Sequence, residues 1–147
     1  MIMDERTEFA DATALNTGAP GSYLIGDVVD LSNVRDIGSG QPIYLVVMVA
    51  TTATSGGSAT LTVQLVTDDN ASLSSPTVVA QSAVWDVADL TAGTIVWMVP
   101  LPHEGVAYER YIGIQQVTGT AAFTAGALNA FLTLDPQSHR VYPAAAN

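Results

Sequence analysis

The chain has no cysteine and no lysine, and only two histidines, His103 and His139. No cysteine means no disulfide, no thiolate metal ligand and no thiol nucleophile. Two histidines far apart in sequence form neither a zinc site nor a Ser-His-Asp constellation. No apolar run is long enough to span a bilayer; the longest, Ile43–Ala50, has the length of a strand. The opening Met1-Ile2-Met3-Asp4-Glu5-Arg6 is charged and lacks the apolar run of a signal peptide. Most enzymes need a poised nucleophile, base or metal cluster. Here such groups are scarce and scattered, so the composition favours a structural or binding role over an enzymatic one.

What is present is alternating apolar and polar sequence broken by Gly, Pro, Ser, Thr and Asp. A chain of 147 residues reads as one domain, 1–147, large enough to bury roughly 70% of its unfolded surface. Four arginines face fourteen acids, for a net charge of −10. That surface repels phosphate backbones, so nucleic acid is not an expected partner, and neither is a membrane. Only 12% of residues are charged. Depletion of charge marks the centre of protein interfaces, so an oligomer or a docked subunit is expected.

Strands are predicted over Tyr23–Val29, Ile43–Val49, Ala59–Leu65, Thr77–Val84, Thr94–Val99, Tyr108–Val117 and Ala127–Leu134. In Ala59–Leu65, Leu61, Val63 and Leu65 should face the core, and Thr60, Thr62 and Gln64 the opposite side. In the last strand Leu128, Ala130, Leu132 and Leu134 should share a face. Gly56-Gly57 predicts a hairpin joining Ile43–Thr52 to Ser58–Thr67. Residues 1–15 read as an arm or a short helical turn, and 137–147 as a loose tail. The fold class is therefore all-β: a β-sandwich or jelly roll of seven to eight strands, with an N-terminal arm and a C-terminal tail.

Ile43–Val49 and Thr94–Leu101 are apolar on both faces, where one core covers only one. Tyr44, Val46, Met48, Trp97 and Met98 are accordingly the candidate interface residues. Asp4, Glu5, Arg6, Glu8 and Phe9 are the candidate contacts of the arm. Asp27, Asp30 and Asp36 lack the order of a calcium loop and read as turn residues, as do Asp68-Asp69-Asn70. Gly38-Ser39-Gly40 lacks the spacing of a nucleophile elbow. His103-Glu104 and His139-Arg140 read as solvated loop and tail. Asn70-Ala71-Ser72 matches a glycosylation acceptor without a secretion signal to support it. No catalytic residue, metal or cofactor is expected.

Four stretches follow one another along the chain: Met3–Ala12 (MDERTEFADA), Tyr23–Val28 (YLIGDV), Arg35–Pro42 (RDIGSGQP) and Ala53–Thr60 (ATSGGSAT). With the size of the chain, they resemble the capsid cement, or decoration, proteins of tailed bacteriophages, of the Bordetella-phage type. The resemblance runs over nearly the whole chain. It implies a small jelly roll on the outer surface of the virion head, assembled in the host cytoplasm and bridging major capsid protein subunits. It also implies a homo-oligomer, a dimer by the family pattern, with no enzymatic activity. The alternative is a ligand- or carbohydrate-binding jelly-roll module of a phage tail or fibre, which would need an exposed aromatic platform.

Overall fold

The computed structural model describes residues 5–32, 40–102 and 107–136. Nine strands form in chain order: β1 (Glu8–Ala14), β2 (Gly21–Asp30), β3 (Tyr44–Ser55), β4 (Thr60–Asp68), β5 (Thr77–Gln81), β6 (Trp85–Asp86), β7 (Ile95–Pro100), β8 (Tyr111–Gly119) and β9 (Phe123–Thr133). The described helices are two single 3-10 turns, Glu5–Thr7 and Val87–Asp89.

One sheet runs β1-β9-β3-β7, and the other β2-β8-β4-β5 with β6 also on β4. The pairings nest. β1 lies on β9, β2 on β8, β3 on β7, and β4 on β5 and β6, all antiparallel. A long hairpin of four strand pairs has thus been wrapped on itself, with its first returning strand broken in two as β5 and β6. That is a jelly roll, the arrangement expected from the short alternating strands.

The core lies between the sheets. Leu45, Val47 and Val49 of β3 meet Leu61, Val63 and Leu65 of β4, with Ile112 and Ile114 of β8 and Leu128 and Ala130 of β9. Each such leucine, isoleucine or valine side chain contributes about 1.5–3 kcal/mol on full burial. Thr60, Thr62 and Gln64 are half-buried on the other side of β4, as the alternation required.

Three expectations are corrected. Residues 8–14 are no arm but a strand, β1, on the margin of the first sheet, and Phe9 is completely buried in the core. The sequence hid β1 because its register with β9 breaks twice, which destroys simple alternation. The hairpin between β3 and β4 does not form: β3 belongs to one sheet and β4 to the other. Gly56-Gly57 carries the chain across the sandwich, with Gly57 closely packed over Ala121. Leu134 lies beyond β9 and is 56% exposed, whereas Leu128 and Ala130 are in the core and Leu132 packs on it.

The open side of the sandwich is closed at Gly26. β2 breaks register between Ile25 and Val29, and Gly26 adopts φ +70. A Cβ there would lie 1.8 Å from the Phe9 carbonyl oxygen. Only glycine lets β2 come this close to β1.

Candidate docking surface

Alternation in β3 sends Tyr44, Val46 and Met48 away from the core. Register then builds rows across the outer face of the first sheet. Met98, Val46 and Phe131 form one row, with Glu8 beyond Phe131. Pro100, Tyr44 and Thr133 form the next, and Ile95, Met48 and Asn129 a third.

Four of the five candidate interface residues therefore share this face. Tyr44, Met48 and Met98 are half-buried and present apolar surface. Val46 is 0% exposed and Phe131 2%, although neither belongs to the intersheet core cluster. Val46 supports the face from within and is not available for contact. Trp97 is the exception. It pairs with Val47 and packs against the core, because neighbouring residues of a strand face opposite sides and Met98 beside it faces out with Val46.

Beside β1 the surface turns acidic. Arg6, Glu8, Asp27, Asp30 and Ser32 line one shallow cleft, and Glu8, Asp11 and Asp27 the next. Asp4 lies outside the described residues, as do Asp36, His103, Glu104, His139 and Arg140; Glu5 lies in the first 3-10 turn. At the end of the sandwich Thr7, Val29, Leu31, Ile43, Leu132 and Leu134 enclose an apolar hollow of about 360 Å³.

Fixed charge is the other property of the surface. Arg110 holds Asp30 through two hydrogen bonds of 2.9 Å and lies 5.0 Å from the Tyr111 ring centre. The guanidinium, and then the Ser32 N–H, hold the Asp30 carboxyl below its ordinary value. Both partners are solvated, so the pair adds little stability, but it keeps Asp30 charged. Asp68 is held low chiefly by the N–H of Ser75, helped by that of Asn70. Its carboxylate lies near those of Asp69 and Glu109. Those N–H bonds make it a loop organiser, in keeping with the turn read from sequence.

Sequence reasoning missed Leu73. It is 5% exposed, in the loop that Asp68 organises. It lies against Gly113, where a Cβ would come within 2.5 Å of the Leu73 side chain and 3.3 Å of Leu24. Val66 is buried beside it on the outer face of the second sheet. A single apolar residue among Ser, Asn and Asp gives no periodic signal, so the sequence offered none.

The Bbp16 family model matches residues 9–132, from the first strand into the last. The chain belongs to the Bbp16 family. The name points to a Bordetella phage protein, the coarse form of the resemblance drawn from sequence. No curated protein matches the chain. For this Bbp16-family chain the matched region reaches into every strand of the jelly roll, so the family pattern is a property of the whole fold.

Proposed function

We propose that the chain is a capsid cement protein of a tailed phage. It sits on the outer surface of the virion head, bridges neighbouring major capsid protein subunits and acts without catalysis. The observation that carries this reading is the Bbp16 match, which runs from β1 into β9. The surface supports it. A half-buried apolar face lies next to clefts lined by Glu8, Asp11 and Asp27, a pairing that suits a protein partner with basic patches. Asp30 and Asp68 are held in the charged form, which suits binding better than proton transfer. The subunit works as a homo-oligomer, because several weak contacts held together gain by effective concentration.

A carbohydrate-binding module draws less support. Trp85 and Trp97 both pack against the core and form no exposed aromatic platform. The test is rebinding: labelled protein is added to phage heads stripped of their outer proteins, and the heads are sedimented. Saturable co-sedimentation that weakens with salt is expected. Absence of binding at every salt concentration overturns the reading.

A further inference from the structure

The apolar hollow and the two acidic clefts join into one groove. The hollow and the first cleft share Val29 in their walls. The first and second clefts share Glu8 and Asp27. The groove therefore runs from the end of β9 along the seam where β1 and β2 face each other, the seam that Gly26 draws together. Its chemistry changes along its length. Leu31, Ile43, Leu132 and Leu134 wall the first end, and Glu8, Asp11 and Asp27 wall the other.

Leu134 stands 56% exposed at the rim of the hollow. A large aliphatic side chain beside a concave apolar wall is surface that a partner can bury. The charge of the groove then selects the partner. Arg110 is committed to Asp30, and Arg6 lines the first cleft, where Glu8, Asp11 and Asp27 together outweigh it. Glu8 and Asp27 come from facing strands and wall the same two clefts, so a cation set between them is attracted by both. A second copy of this chain is a poor occupant, because it offers no lysine, four arginines and a net charge of −10. Nucleic acid and anionic lipid are repelled by the same carboxylates. Among the described residues no aromatic ring lines the groove, so it gives a sugar no stacking platform. Both flanking strands break register here, which blunts their edges against an added strand and leaves recognition to side chains.

We propose that this groove seats one extended segment of the major capsid protein, with a large apolar side chain in the hollow and basic side chains over the clefts. The proposal rests on the cement reading for the source of the segment, and adds where the segment lies and what chemistry it carries. The apolar anchor supplies most of the affinity, and the charges supply orientation and salt sensitivity.

The experiment uses the full chain and phage heads stripped of their outer proteins, with sedimentation at several salt concentrations. Leu134→Asp should weaken rebinding by about ten-fold or more. Val84→Asp puts the same charge on another exposed aliphatic residue, between β5 and β6, and should rebind like the parent. Glu8→Gln combined with Asp27→Asn should weaken rebinding at low salt and flatten its salt dependence. Thermal unfolding checks that each variant is folded. A photo-crosslinking side chain in place of Leu134 should join the subunit to the major capsid protein on heads. Leu134→Asp rebinding like the parent overturns the groove and leaves the cement reading standing. An unchanged salt dependence in the charge variant overturns the basic chemistry assigned to the segment. Cross-links only within the chain give the hollow to a segment of this protein, and cross-links only to a second copy give it to the oligomer; each overturns the proposal. A parent protein that fails to rebind at every salt concentration overturns the cement reading and the groove with it.

Discussion

The side chain of Gln116 bonds to both backbone groups of Asn16. Its Oε1 accepts from the Asn16 N–H at 2.8 Å, and its Nε2 donates to the Asn16 carbonyl at 3.0 Å. Gln116 is itself fully buried, and it also donates to Thr118 at 2.6 Å. One amide on β8 thus does for the loop between β1 and β2 what a strand partner would do. Gln116→Leu keeps the volume but removes both partners of Asn16. Buried or half-buried backbone groups left unpaired cost about 1–3 kcal/mol. Denaturant unfolding should show a lower midpoint with an unchanged slope.

Gly26→Ala should be worse than an ordinary surface change. The new methyl meets the Phe9 carbonyl, and φ +70 is strained for any side chain. Overpacking and strain of this kind cost about 1–3 kcal/mol each. Thermal unfolding measures the loss, and Gly56→Ala serves as a control, with open space around its Cβ and no left-handed φ.

Phe9→Ala separates a strand from an arm. A residue of a solvated arm would change stability little. Phe9 is completely buried, and removing a buried phenyl group costs about 3–5 kcal/mol. A calorimetric midpoint equal to that of the parent protein would contradict its place in the core.

Asp68 should give part of the stability a defined pH dependence. Its folded-state pKa lies below the ordinary 3.8 because Ser75, then Asn70, donate N–H bonds to the carboxylate. The stabilisation is fully present above the unfolded value and is lost as pH falls through the lower, folded value. Asp68→Asn should therefore lower the melting temperature at neutral pH and flatten the acid limb below about pH 4. A variant as stable as the parent at neutral pH would contradict this.

The faces of the strands were legible and their partners were not. The strict alternation Leu61, Val63, Leu65 named the inward side of β4 because period two is a local property. Pairing is not local. A glycine pair between two strands reads the same whether it turns a hairpin or crosses from sheet to sheet, so Gly56-Gly57 misled. β1 was lost to its bulges and charges. The double-faced apolar run of β3 did locate an unusual face, and Val46 and Phe131 are buried there. In β7 the same signal placed Trp97 wrongly, because a run apolar on both faces does not tell which parity points inward, and Trp97 and its neighbour Met98 face opposite sides.

The central claim is that this subunit holds a shell together. The direct measurement is the rupture temperature of phage heads stripped of the protein, with and without its return. The account predicts that added protein rebinds and raises the rupture temperature in a saturable way, and that added salt reduces the gain. Heads that rupture at the same temperature with and without saturating protein would contradict it.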